Sequence, residues 1–202
     1  AEGVGVPAVP DGEQLGRAKD LVRDGRIEEA IALYRDILVQ NPANLKARNN
    51  LGVLYDELGR LELALEQFEA AGLIEPESVE ILNNYGSVLG AMGRYEEAEP
   101  LHLRSLAIFE AAFGPDHPGV AISLNNLGQI YSKLGRYEEV EPLYLRALTI
   151  YETALGPDHP DVALSLNNLA WTYAEEGIEL DRAMELSLYS LKSDAENVVY
   201  LD

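Results

Sequence analysis

Two Asp-His pairs, Asp116-His117 and Asp158-His159, have the residue types to do chemistry, since a carboxylate beside an imidazole can hold a metal or move a proton. Each lies in a PDHP string and is followed by a proline, Pro118 or Pro160, that suits the first position of a helix. The strings are therefore read as fixed turns joining successive units, with no structural metal at either histidine. Glu28-Glu29, Glu96-Glu97 and Glu138-Glu139 could serve as acid–base pairs. They recur at predicted helix starts of the first, third and fourth units, where the helix dipole favours negative charge. There is no Gly-rich phosphate loop, Ser-His-Asp set or metal-spaced cluster. There is also no cysteine, which excludes a disulfide, a thiolate metal site and a Cys nucleophile. No catalytic residue, metal or cofactor is assigned, and the expected activity is binding rather than catalysis.

The elements that carry these turns are internal repeats. The stretch RYEEAEPLHLRSLAIFEAAFGPDHPGVAISLNNLG from Arg94 returns 42 residues later, from Arg136, with most positions the same or similar. Upstream, the skeleton of NNLGVLYDELGRLELALEQF from Asn49 returns after 34 residues, from Asn83. Five units follow, near residues 11–44, 45–78, 79–120, 121–162 and 163–197, preceded by a Gly- and Pro-containing flexible lead-in over residues 1–12. The array proper is placed at 13–202.

Each unit reads as two helices broken by a glycine: Gly25, Gly59, Gly93, Gly135 or Gly177. Ala64, Phe68 and Ala71 recur at i, i+4 and i+7 as the apolar stripe of a second helix. His102 stands where other units have Tyr34, Phe68 or Tyr144, so it reads as a core residue. The second helices of the 42-residue units are predicted to reach Phe113 and Leu155. Pro100 and Pro142 are expected at the end of the first turn of those helices, where a missing N–H matters least. One helix pair cannot bury its own apolar face, so units must stack. The predicted fold class is all-α, an α-solenoid of antiparallel helix pairs without a sheet.

The formal charge of −20 argues against nucleic acid and anionic membrane surfaces as main partners. No apolar run approaches the roughly 20 residues of a membrane span. A cysteine-free chain suits reducing and oxidising compartments alike. The first residue is Ala1 and the closing VVYLD reads as the start of a further helix, so the expectation is a processed form or a fragment of something longer.

The Leu-Gly, Tyr, Gly, Ala, aromatic and Pro skeleton resembles the tetratricopeptide repeat over about residues 11–197. The LNNLG, GRYEEAEP and GPDHP strings of the 42-residue units are similar to the kinesin light chain type. The resemblance implies a right-handed superhelix whose concave face, lined by first helices, holds an extended peptide or partner helix. Transferred position by position, it implies a groove of Gly12, Leu15, Lys19, Val22 and Arg23; Lys46, Asn49, Val53, Asp56 and Glu57; Glu80, Asn83, Ser87, Gly90 and Ala91; Ile122, Asn125, Gln129, Ser132 and Lys133; and Leu164, Asn167, Trp171, Ala174 and Glu175. Its four cations balance its four acids, so the channel is expected to be near neutral inside an acidic shell. Asn49, Asn83, Asn125 and Asn167 recur at one unit position, and an amide can both donate to and accept from a ligand backbone. Asn50, Asn84, Asn126 and Asn168 are assigned to bonds between units. Trp171 is open to two readings, a binding anchor or a half-buried packing residue. The cations with which some members grip a chaperone's terminal carboxylate are missing, since Leu15, Asn83 and Ser87 occupy their positions. The functional expectation is a protein-interaction scaffold. The alternatives are an array that self-associates through its ends, giving a homo-oligomer, and the regulatory repeats of a larger enzyme.

Overall fold

The computed structural model describes residues 10–176 and Glu185. These residues form helices and turns with no strand: α1 (Asp11–Arg23), α2 (Ile27–Gln40), α3 (Leu45–Glu57), α4 (Leu61–Ile74), α5 (Val79–Ala91), α6 (Tyr95–Phe113), α7 (Pro118–Lys133), α8 (Tyr137–Leu155) and α9 (Pro160–Glu176). The chain divides into two units, Ala1–Val88 and Leu89–Asp202, at a point within α5. The expected break at Gly177 and the terminal VVYLD lie outside the described residues. Helix α1 starts at Asp11, within the stretch expected to be a flexible lead-in.

One local device builds the four helix pairs among the described residues. Gly25, Gly59, Gly93 and Gly135 take φ of +75°, +68°, +75° and +70°, the left-handed region that favours glycine. The chain then folds back, and the N–H of the next residue reaches a carbonyl one turn earlier: Arg26 to Leu21, Arg60 to Tyr55, Arg94 to Leu89 and Arg136 to Tyr131, at 2.8–2.9 Å. The same arginine opens the following helix, its carbonyl accepting from Ala30, Ala64 or Ala98 in the first three cases. The arginine side chains then pair with carboxylates, Arg136 also reaching back to Glu99 at 2.7 Å. Arg26, Arg94 and Arg136 donate to the glutamate three residues on, Glu29, Glu97 and Glu139. At Arg60 that position is Leu63, and the guanidinium turns instead to Glu28 of the preceding unit.

The eight residues that separate 42 from 34 are all helical. Helices α6 and α8 have 19 residues against 14 in α2 and α4. Helix α7 has 16 residues against 13 in α3. The joining loops, 41–44 and 114–117, have the same length but different chemistry. In the shorter unit Asn44 caps α3, its Oδ1 accepting from Ala47 N at 3.0 Å. In the longer unit His117 caps α7, its Nδ1 accepting from Gly119 N at 3.0 Å, while its ring stacks on Phe113 at 4.7 Å. Pro118 and Pro160 open α7 and α9.

Pro100 and Pro142 depart from expectation. Each is the sixth residue of its helix, so the missing N–H is one that would have bonded within the helix rather than one of the four free at its start. Long helices with neighbours to pack against tolerate that single loss.

First and second helices pack closely because a glycine of one lies under an aromatic ring of the other. A Cβ at Gly52 would stand 2.7 Å from Phe68, and one at Gly128 would stand 2.7 Å from Tyr144. His102 takes the aromatic position in its own unit and is buried. In the second unit the apolar core runs through Val120, Leu124, Ala147, Ile150, Val162 and Leu166.

Asp11 ties the start of α1 to the next loop by accepting from Asn41 Nδ2 at 2.8 Å and Asn44 Nδ2 at 2.9 Å. The Asn41 bond, then the Asn44 bond, hold its carboxyl below its ordinary 3.8. A carboxyl lowered on folding stabilises above its unfolded pKa, and that contribution is lost as pH falls through the folded value. Acidification below about pH 4 should therefore release the Asn41 and Asn44 side-chain amide signals in NMR titration. Asp11→Asn should remove that step. Because Asp11 is only half-buried and solvent screens its bonds, global stability should change little.

Candidate partner-binding groove

The first helices of the first unit present two adjoining depressions. One, of about 300 Å³, is lined by Lys19, Val22 and Arg23 of α1, Tyr34 of α2, and Asn50, Val53, Leu54 and Glu57 of α3. The other, of about 340 Å³, is lined by Lys19, Leu45, Lys46, Asn49 and Asn50, with Glu75, Ser78, Glu80 and Ile81. Lys19 and Asn50 border both, so the two form a continuous trough across α1, α3 and the start of α5. Its cations are Lys19, Arg23 and Lys46 and its acids Glu57, Glu75 and Glu80, which leaves no net charge. Arg23 is engaged by Asp20 at 2.9 Å. Burial raises the Tyr34 phenol, an effect opposed by the bond it accepts from Asn50 Nδ2 at 3.3 Å.

Eight of the residues transferred from the repeat pattern line this trough: Lys19, Val22, Arg23, Lys46, Asn49, Val53, Glu57 and Glu80. Of the others in the first unit, Gly12 and Ser87 are exposed and Leu15 and Asn83 half-buried. Asp56 is also half-buried, and burial pushes its carboxyl up. In the second unit Gly90 is half-buried, while Ala91, Ile122, Gln129, Lys133, Leu164, Asn167, Ala174 and Glu175 are exposed and Ser132 is buried. Trp171 is 61% exposed, which removes the half-buried reading and leaves a large aromatic surface open on α9.

The asparagines at the shared position do not behave alike. Asn49 is 7% exposed and Asn125 5%, whereas Asn167 is exposed. Asn49 donates to Glu80 Oε1 at 2.7 Å and accepts from Asn84 Nδ2 at 2.9 Å, so its amide is occupied between units. Asn125 donates to Ser165 Oγ at 2.9 Å. The neighbouring unit's first helix covers this position, which unit numbering alone does not reveal. Asn50 and Asn84 bond between units as expected. Tyr34, Leu45, Asn50, Leu54, Glu75, Ser78 and Ile81 were not among the expected groove residues. The usable signal was at Tyr34, because a hydroxyl where the next unit has Phe68 needs a polar partner and therefore a polar edge.

Among the described residues no three His, Cys, Asp or Glu side chains converge on a metal-sized site. His117 and His159 instead direct Nδ1 at the backbone N–H of Gly119 and Asp161. Among those residues, too, no helix is long and apolar enough to cross a membrane.

Family models match most of the chain. Tetratricopeptide repeat models match residues 15–74, 77–153 and 133–177, and the chain belongs to the tetratricopeptide repeat family. Its fold is that family's α-solenoid of helix pairs, and its general role is that of a protein-interaction scaffold. Among solved structures it is similar to BtubC (BKLC) from P. vanneervenii, with 25% identity and a TM-score of 0.78 over 91% of this chain and 80% of that one. It is also similar to kinesin-light-chain-like, nearly identical TPR-like repeats from Podosopora anserina, with 21% identity and a TM-score of 0.76 over 92% and 94% of the two chains. Bovine (Bos taurus) intraflagellar transport protein 70B is 35% identical over 75 residues, a stretch that is 37% of this chain and 11% of that protein. The chain thus spans about a tenth of that curated relative.

Proposed function

We propose that the trough of the first unit holds an extended segment of a partner protein, as a binding site without catalysis. The observation that carries this reading is the pair of depressions joined at Lys19 and Asn50, lined by α1, α3 and the start of α5. Val22, Val53 and Leu54 offer an apolar floor to one ligand side chain. Lys46, Asn49 and Glu80 offer polar partners of both signs further along. Lys19 has no ion-pair partner among the described residues and stands where the two depressions meet. In the second unit, exposed Gln129, Lys133, Asn167 and Trp171 and half-buried Gly90 are offered as further contacts, together with Asn83 and Ser87 of the first.

Panning a random peptide library against the whole chain supplies a probe. A selected peptide should protect α1 and α3 from hydrogen exchange. Val53→Trp, which fills the depression, should weaken binding at least tenfold while the thermal melt stays within a few degrees. Peptides that bind the Val53→Trp protein equally well would refute the reading. Because the trough carries balanced charge, affinity should change less than about threefold between 50 and 300 mM salt, in contrast to capture governed by charge attraction.

A further inference from the structure

The two units make the same inter-repeat contact differently. In the first, Asn84 Nδ2 donates to Asn49 Oδ1 at 2.9 Å, joining α5 to α3. The residues at the same unit positions in the second are Asn168 on α9 and Asn125 on α7. There, Asn125 Oδ1 and Asn168 Nδ2 are both buried without a hydrogen-bond partner. The unpaired acceptor and the unpaired donor are thus the two atoms that are bonded to one another in the first unit.

Two sequence differences account for this. Asn49 sends its Nδ2 to Glu80, which leaves its Oδ1 facing Asn84. The position of Glu80 is held by Leu164, which accepts nothing, and that of Ile81 by Ser165. Ser165 commits its single proton to the Asp161 carbonyl at 2.9 Å and can only accept from Asn125. The Asn125 amide is thereby turned, and its oxygen is left without a donor. Each orphan atom exposes less than 1 Å². A buried polar group without a partner is costly, and here each orphan is the other's remedy.

We infer that the α7–α9 junction is bistable: beside the packing described, it has a closed one in which Asn168 Nδ2 donates to Asn125 Oδ1. Closure moves the turn of α9 that carries Leu164, Asn167 and Trp171, and so alters their spacing from Ile122 and Gln129 on α7. A ligand that touches both helices selects one of the two packings.

Trp171 is the chain's sole tryptophan, which supplies a reporter on the moving helix. The whole chain labelled with 5-fluorotryptophan is examined by ¹⁹F NMR relaxation dispersion between 5 and 35 °C. The wild type should show exchange, as two lines or as one line with dispersion. Asn168→Leu removes the donor and should abolish the exchange. Leu164→Glu with Ser165→Ile restores the pattern of the first unit, and should give a single line and a higher melting temperature. A single line without dispersion in the wild type would overturn the inference, as would dispersion that persists in Asn168→Leu. Asn84→Leu, which breaks the equivalent bond in the first unit, should lower the melting temperature; if Asn168→Leu lowers it equally, the junctions do not differ and the inference fails.

Discussion

Replacing Gly128 by leucine should lower stability by about 3 kcal/mol, whereas Gly16→Ala and Gly72→Ala should each raise it by about 1 kcal/mol. All three glycines lie inside helices, so the opposite signs come from packing rather than propensity. A Cβ at Gly128 would meet Tyr144 Cε1 and Cζ at 2.7 Å, inside van der Waals contact. The Tyr144 ring is buried where α8 packs on α7, so the added carbons force the α7–α8 contact apart. At Gly16 and Gly72 a Cβ would meet nothing within 4 Å, and alanine there mainly removes backbone freedom from the unfolded chain. Urea denaturation followed by helical circular dichroism distinguishes the two groups. A Gly128→Leu protein as stable as the wild type would contradict the seating of Tyr144 against this glycine.

Asn49→Ala should cost about 2 kcal/mol, because it strands the Asn84 donor and removes the donor from Glu80 at a nearly buried site. Asn125→Ala should cost less, although Asn125 is the more buried of the two. Its side chain donates to Ser165 and also bonds the Tyr151 hydroxyl, but it carries an unpaired oxygen whose burial cost disappears with it. Asn167→Ala, at an exposed position, should change stability by less than about 0.5 kcal/mol. The order Asn49, Asn125, Asn167 in melting experiments is therefore the test. Equal losses at Asn49 and Asn167 would show that position in the unit, rather than local bonding, sets the energy.

The turns were legible because their cause is local: a glycine at positive φ needs no tertiary partner to declare itself, and a proline after PDH opens a helix by its own ring geometry. The longer second helices were legible for the same reason, since the 42-residue units carry their apolar period on to Phe113 and Leu155. The state of the repeated asparagines was not legible. Whether Asn49 and Asn125 are open or covered depends on the next unit, at Glu80 or Leu164 and at Ile81 or Ser165, none of which belongs to the repeat signature. The start of α1 was hidden likewise. Asp11 is held by Asn41 and Asn44, residues 30 and 33 positions away. Arginine after Gly25, Gly59, Gly93 and Gly135 was plain in the sequence, but its local partner depends on the residue three places on, Glu29 in one unit and Leu63 in the next.

That the eight extra residues of a longer unit are all helical, with the four-residue joint left unchanged, bears on how such a gene can change. Unequal crossover between the similar segments at 94–128 and 136–170 would add or delete 42 codons in frame. The cut would fall between equivalent positions, so the product would meet the same joint on either side of the new layer. Length in this part of the chain can therefore drift by whole layers in single recombination events, without a compensating point mutation at the seam. Populations carrying this gene should accordingly show size polymorphism in steps of 42 residues, detectable as ladders of amplified fragment lengths.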